Sequence, residues 1–297
     1  MGETTTSLRR KLSGASDLKS VVRSMKAVAA SSIGQYEQAV RSLTEYMRVV
    51  ESGLSACLRA NGPVPPTPVP GGGRSTGEIG AVVFGSDQGL VGQFNDHVAD
   101  FAAGALAAMT RRPVVWAVGE RVQSRLADAG LPLAGTFPVP ASVKAIVPLV
   151  GRIIVESEAR RGRGEFAELH LFHNRPVTGA VCAPVGQRLL PLDEDWRHAM
   201  AERRWPTKSL PEVMGDPIAT LREFIRAYLF VSLFRASAES LASENACRLS
   251  AMQRAERNID ELLSHLTGTY HRLRQGGIDE ELFDVISGFE SSGGEDS

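Results

Sequence analysis

Residues 7–60 read SLRRKLSGASDLKSVVRSMKAVAASSIGQYEQAVRSLTEYMRVVESGLSACLRA. No proline interrupts them, and Ala15, Val22, Ala29, Tyr36, Leu43, Val50 and Cys57 form one row with a seven-residue step. A step of seven keeps every member on one side of an α-helix, so the spacing predicts a single long helix with a seam for a partner helix. A second row, Leu18, Met25, Ser32 and Ala39, moves over one place to Val40, Met47 and Leu54. That drift is expected of a helix that does not hold a perfect supercoil. With a rise of ~1.5 Å per residue the helix is about 80 Å long, well beyond the diameter of a small domain.

A second such segment closes the chain. From Pro217, suited to a first helical turn, no further proline occurs, and Ala238, Asn245, Met252, Ile259, Leu266 and Leu273 keep one seven-residue row. Ala242, Leu249, Leu263 and Tyr270 form the adjoining row, in which Glu256 is the polar exception. Gly276 and Gly277 are expected to stop or fray the helix. Each terminal helix is too long for a small domain and carries a seam, and antiparallel pairing of the two satisfies both. Small residues at Ala15, Ala29, Ser32, Ala39, Ala238 and Ala242 permit close approach but bury little area, leaving cohesion to Leu, Val, Met and Ile. A larger helical bundle from the same segments is the alternative reading.

Between the helices, residues 63–73, PVPPTPVPGGG, hold five prolines and three glycines, which exclude helix and strand. Beyond them, strand patterns at Ile79–Phe84 and Pro113–Val118, and one ending at Phe137, alternate with helical patterns at Phe94–Met109, Glu120–Ala129 and Ser142–Arg161. Phe166–Phe172 and Ala180–Leu192 supply further strands. The predicted fold class is α/β: a long antiparallel coiled coil of N- and C-terminal helices with an inserted doubly wound, Rossmann-like α/β domain. The expected divisions are a helix over 1–62, a Pro/Gly linker over 63–77, the α/β domain over 78–192, an irregular connection over 193–216, and the C-terminal helix with an acidic tail over 217–297.

The chain of 297 residues has a net charge of −1, which argues against a nucleic-acid binder. The charge is unevenly placed. Residues 7–60 carry nine Lys and Arg against four acids, whereas 276–297 carry seven acids and no Lys or Arg. In an antiparallel pair these ends are expected to neutralise one another or to meet oppositely charged partners. Cys57, Cys182 and Cys247 are far apart in sequence and form no CxxC pair or zinc spacing, so they read as structural thiols in a reducing compartment, with no disulfide framework and no metal site. No stretch approaches the roughly 18 apolar residues needed to span a bilayer, and no signal peptide is recognisable.

The segment from Phe84 to Asn95, FGSDQGLVGQFN, follows a strand and opens a helix, where phosphate-binding loops sit. Its glycines, Gly85, Gly89 and Gly92, have the wrong spacing for a dinucleotide fingerprint, so Ser86, Asp87, Gly89, Gly92 and Asn95 read as a tight structural turn. No GxxxxGK[ST] occurs, and no catalytic residue or cofactor is expected. His170 and His173, with Glu156, Glu158, Glu165 and Glu168 nearby, match no metal-ligand spacing. Arg9, Arg10 and Lys11 read as an exposed helix start.

Three separated places, taken together, resemble one family. They are Met25 with Val28-Ala29-Ala30-Ser31; Ser86-Asp87, Gly89-Leu90, Gly92 and Phe94-Asn95; and Glu244-Asn245-Ala246, Arg248, Ala251-Met252, Asn258, Tyr270, Arg274-Gln275, Ile278, Glu281-Leu282 and Ser287-Gly288. In order and separation they resemble the gamma subunit of F-type ATP synthases over nearly the whole chain. Departures at Lys26 (commonly an acid), Ser32-Ile33 (a Lys-Met pair), Gln88 (Arg) and Gln93 (Gly) suggest a divergent, alternate ion-translocating branch. The resemblance implies a non-catalytic central rotor shaft coupling transmembrane ion flow to ATP synthesis or hydrolysis on other chains. The implied partners are the alpha and beta subunits of the hexameric head, the epsilon subunit and the membrane c-ring. It places the chain peripherally on the cytoplasmic face of a bacterial plasma membrane, touching the membrane only through the complex. Met25, Lys26, Arg248, Arg274, Gln275, Asp279, Glu281 and Asp284 match the positions that couple rotor to beta subunit. The competing classes are a cytosolic coiled-coil adaptor without ATPase partners and a small α/β enzyme with helical arms.

Overall fold

The computed structural model describes residues 4–60, 77–177, 180–192, 194–203, 205, 207–209 and 211–292. Its elements are α1 (Thr5–Ala60), β1 (Glu78–Phe84), α2 (Phe94–Ala107), β2 (Pro113–Val118), α3 (Glu120–Asp128), β3 (Leu133–Phe137), α4 (Val143–Gly162), β4 (Phe166–Val177), β5 (Ala180–Leu190), α5 (Glu194–Ala201) and α6 (Pro217–Ser292). Apart from Gly77, the linker expected at 63–77 lies outside the described residues. The chain divides into two compact units, one of residues 1–28 with 249–297 and one of residues 29–248.

The first unit is a two-helix seam. Leu8, Ala15 and Val22 on α1 are buried, as are Met252, Ile259 and Leu266 on α6, each set at a step of seven. Met25, Ala251, Ala255 and Leu263 pack around Val22, Met252 and Ile259. Ion pairs fix the antiparallel direction. Arg23 Nε meets Glu256 Oε1 at 2.8 Å, Lys26 Nζ meets Glu256 Oε2 at 2.5 Å, and Lys19 pairs with Asp260. Arg9 Nη2 donates to the Tyr270 hydroxyl at 2.9 Å while its guanidinium lies 5.8 Å from the ring centroid.

Three expectations are corrected in this unit. Leu18, placed on the second row, is 53% exposed. Among the described residues Lys19, Arg23 and Lys26 pair with Asp260 and Glu256 and not with the acids that follow Gly277, because the antiparallel register sets Arg9 against Tyr270. Gly276 and Gly277 do not end α6, which continues to Ser292. A glycine costs a helix about 1 kcal/mol without blocking its hydrogen bonds, so two of them weaken the ladder but do not break it.

The second unit is built on a five-stranded sheet of order β3-β2-β1-β4-β5. β1 pairs in parallel with β2 and β4, β2 in parallel with β3, and β4 antiparallel with the edge strand β5. Alternate residues of β1 face opposite layers. Ile79, Ala81 and Val83 pack with Val98, Ala102 and Leu106 of α2 and Val122 and Leu126 of α3. Val82 and Phe84 pack instead with Ile146, Val150 and Ile153 of α4, Leu229 and Leu233 of α6, and Tyr36 of α1. Coverage on both faces explains the uninterrupted apolar run in β1.

The terminal helices also meet inside this unit. Val50, Leu54 and Cys57 of α1 cluster with Met200, Leu221 and Tyr228. Within the stretch expected to be irregular, Glu194–Ala201 is a helix, α5. Trp196, whose ring centroid lies 5.3 Å from that of Tyr228, and the buried Met200 stand four residues apart, so one face of this short helix is anchored in the cluster. Tertiary packing supplies what two turns of helix lack on their own.

Candidate functional site

The turn from Phe84 to Asn95 is built from the backbone outward. Ser86 N–H donates to Asn95 Oδ1 at 2.9 Å, and Asn95 Nδ2 donates to Ser86 Oγ at 2.8 Å, so the first residues of the turn and of α2 clasp each other reciprocally. Ser86 Oγ donates in turn to the Gln88 carbonyl at 2.8 Å. Asp87 accepts from two further segments, the Glu120 N–H at the start of α3 (3.0 Å) and the Val139 N–H after β3 (2.8 Å). One carboxylate therefore ties three crossovers of the sheet together, with the positive end of a helix as one of its partners.

Glycine is required where these segments touch. A Cβ at Gly85 would lie 2.2 Å from Val122 Cβ and 2.7 Å from Asn95 Oδ1. Gly119 has φ of 116° and its Cβ would lie 2.7 Å from the Ser86 carbonyl. Gly92, at φ 61°, takes a left-handed turn just before α2, whereas Gly89 meets nothing nearer than 4.0 Å. The close approaches at Gly85 and Gly119 make this segment a tight turn. The side chains of Ser86 and Asn95 are spent on each other and on the turn's backbone, and an intrachain carboxylate accepts from the Glu120 N–H at the start of α3.

The turn connects to α6 through Asn174, which is fully buried. Asn174 Nδ2 donates to the Phe94 carbonyl at 2.9 Å, and its own carbonyl accepts from Ser243 Oγ at 3.2 Å. Phe94, in the second of the places that carry the family resemblance, and Ser243, next to the start of the third, therefore meet across one residue that belongs to neither. Next along, His173 Nε2 contacts Glu239 Oε2 at 2.9 Å, and Arg235 Nε donates to Glu239 Oε1 at 2.7 Å. Burial raises the Glu239 carboxyl, but His173 and Arg235 outweigh it and leave the group below its ordinary value. Asn174 and His173 join this junction from the middle of β4, and the sequence signal for it is the polar pair His-Asn directly after the apolar Leu171-Phe172.

The residues matched to rotor coupling fall into two groups. Met25 is half-buried in the Val22–Met252 seam, and Lys26 holds Glu256. Arg248 Nη2 holds Glu244 Oε1 at 2.7 Å, and their side chains are only 12% and 8% exposed. Burial pushes the Glu244 carboxyl up, Arg248 opposes this, and nearby Asp87 adds to the rise. Arg248 is thus not the exposed helix residue that a surface contact would use. Arg274, Gln275, Asp279, Glu281 and Asp284 are exposed along α6.

The acids near His170 are engaged by neighbours. Glu168 lies 3.0 Å from His170 Nε2 and 3.8 Å from Arg111, Glu156 pairs with Arg160, Glu158 with Arg226, and Glu165 with Arg163. Among the described residues no group of three or more His, Cys, Asp or Glu is arranged to hold a metal, and no helix is long and apolar enough to cross a membrane.

The family model described as ATP synthase matches residues 4–291. The chain belongs to the ATP synthase gamma family. It is 27% identical to the ATP synthase gamma chain of Rhizobium johnstonii over 293 residues, covering 96% of this chain and 98% of that one. To the gamma chain of Desulforamulus reducens it is 26% identical, covering 95% and 96%. Among solved structures, the rotor of the Euglena gracilis mitochondrial ATP synthase superposes with a TM-score of 0.63 at 14% identity, covering 92% of this chain and 98% of the other. A second Euglena gracilis structure, containing OSCP, F1 and c-ring, gives 0.66 at 15% identity, covering 99% and 96%. Membership in this family makes the chain a non-catalytic stalk subunit of a membrane-associated ATP synthase complex.

Proposed function

We propose that this chain is the central rotor shaft of an F-type ATP synthase, turning inside a head of alpha and beta subunits and coupling transmembrane ion flow to ATP synthesis or hydrolysis there. The observation that carries the reading is the end of α6. Past Tyr270, where α1 makes its polar contact through Arg9, α6 exposes Ile278, Leu282, Phe283, Val285 and Ile286, which are 47% to 70% exposed. A lone helix with a broad apolar face is unfavourable in water, and an enclosing sleeve of partner chains removes that cost. Arg274, Gln275, Asp279, Glu281 and Asp284 lie on the same stretch, free to exchange hydrogen bonds with each beta subunit as an asymmetric surface passes it. Lys26 and Met25 act by holding the two helices together and Arg248 by holding Glu244 one turn away on its own helix, since each would have to leave an intrachain contact to reach a partner. The epsilon subunit and c-ring take the α/β domain, and the complex lies on the cytoplasmic face of a bacterial plasma membrane.

The test is reconstitution with alpha, beta and the membrane sector. Replacing Ile278, Leu282 and Phe283 by Ser is expected to cut ATP-driven ion pumping about tenfold while leaving ATP hydrolysis by the head within about threefold, a loss of roughly 1.4 kcal/mol of coupling contact. Full pumping by the triple variant, or failure of the wild-type chain to assemble with alpha and beta, overturns the reading.

A further inference from the structure

We propose that Cys182 on β5 and Cys247 on α6 form a reversible redox site, at which a small-molecule disulfide converts the two thiols into a covalent clip between the edge strand and the long helix. Far apart in sequence, their Sγ atoms lie 3.2 Å from each other. No disulfide joins any of the three cysteines, and both members of this pair are half-buried, within reach of a small reagent.

The pairing follows from the backbone. In the β4–β5 ladder Arg175 faces Ala183 and Val177 faces Ala180, so two residues, Val181 and Cys182, stand opposite the single residue Pro176. Proline has no N–H to donate to the ladder, and a bulge at this point re-aims a side chain out of the regular alternation. On the helix side, Glu239, Ser243 and Cys247 are spaced by four and share one face. The first two already hold β4, through His173 at 2.9 Å and the Asn174 carbonyl at 3.2 Å. Cys247 is the next member of that series, and Cys182 is what it meets. Noncovalent links on two turns of the helix thus hold the strands in place for a covalent link on the third.

The chemistry balances as two thiol–disulfide exchanges. Cys182, whose thiol is held below its ordinary range by the hydrogen bond with Cys247, loses its proton and attacks one sulfur of the oxidant R–S–S–R. The S–S bond of the oxidant breaks, and one R–S⁻ leaves and takes up the proton. Cys247 then loses its proton, attacks Cys182 Sγ in the mixed disulfide and expels the second R–S⁻, which is protonated in turn. Two protein thiols give up two electrons and two protons, one protein disulfide forms, and the oxidant is reduced to two R–SH. Cys57 is buried and its thiol is raised by desolvation, so it stays out of the exchange.

The full chain treated with oxidised glutathione, then acid-quenched, denatured and alkylated, tests this by mass. The expected product carries one alkyl group in place of three, has lost two hydrogens, and yields a linked peptide pair containing Cys182 and Cys247; dithiothreitol restores all three alkyl groups. Cys247→Ser is expected to stop at a glutathione adduct on Cys182 and to give none of the linked pair. Retention of three alkylatable thiols, adducts on both cysteines that never resolve into a link, or a link through Cys57 overturns the proposal.

Discussion

Replacing Gly85 by Ala adds one methyl group at the point where β1 hands over to the turn, and the outcome can be worked from distances. The new Cβ would lie 2.2 Å from Val122 Cβ and 2.5 Å from Val122 Cγ1. Val122 Cβ is fixed to the backbone of α3, so no rotamer change relieves the first contact. Helix and strand must part by roughly 1.2 Å to restore ordinary van der Waals separation, an overpacking that costs about 3 kcal/mol. The same Cβ would stand 2.7 Å from Asn95 Oδ1, the acceptor of the Ser86 N–H, and loss of that hydrogen bond adds about 1 kcal/mol. For a chain of this size the sum of about 4 kcal/mol lowers the melting temperature by about 8 to 16 °C. The assay is thermal unfolding of the full chain followed by circular dichroism, with Gly89→Ala as the matched control. Gly89 lies in the same turn, but its nearest neighbour would be 4.0 Å away, so that variant is expected to stay within about 0.5 kcal/mol of wild type. Equal melting of the two variants would refute the reasoning that close approach, and not turn flexibility, demands glycine here.

Two more expectations concern the helix pair. Arg23 and Lys26 hold the Glu256 carboxyl down from an ordinary 4.5 to about 2, chiefly through their hydrogen bonds. A depressed folded-state pKa stabilises above the unfolded value and is lost as pH falls through the folded one, so the advantage of wild type over Glu256→Gln should be constant above pH 4.5 and vanish on approach to pH 2; acid titration of helix melting for both chains checks this, and a difference that persists at pH 2 contradicts it. Replacing Gly276 and Gly277 by Ala is expected to stabilise the end of α6 by about 1 kcal/mol per position, since a Cβ at either meets nothing within 4 Å. Slower amide exchange over residues 271–285 is the readout, and unchanged exchange would mean that this stretch is held by something other than its own helix.

Periodicity carried the long first helix because one buried face leaves a strict mark every seven residues, whatever covers it: Ala15, Val22, Ala29, Tyr36, Val50 and Cys57 are all buried. It carried the sheet because β1 is covered on both faces. The misses have physical causes. Glu256 looked like a flaw in an apolar row, yet it seats Arg23 and Lys26 from the opposite helix, and a cross-helix charge leaves no trace in one segment read alone. Arg248 looked available, but its partner Glu244 is one turn away on the same helix and the pair is covered by the rest of the unit. The meeting of Cys182 and Cys247 depends on a bulge at Pro176, and the helix Glu194–Ala201 on contacts with Tyr228. Local composition reports neither. The turn at Ser86–Asn95 was readable as a turn, but the reach of Asp87 to Glu120 and Val139 was not, because those partners come from other crossovers.

The doubled glycine in α6 has a mechanical consequence. Residues 271–292 form a helix past the Arg9–Tyr270 contact, and Gly276 and Gly277 lack the side chains that would brace the backbone against its own turn. A single helix with a bare stretch twists more readily than two helices clamped by Glu256 and Asp260. Torque applied across this segment therefore winds the tip first, like a soft spring in series with a stiff one, and the elastic energy of a partial turn is stored within a few residues of the exposed Ile278, Leu282 and Phe283.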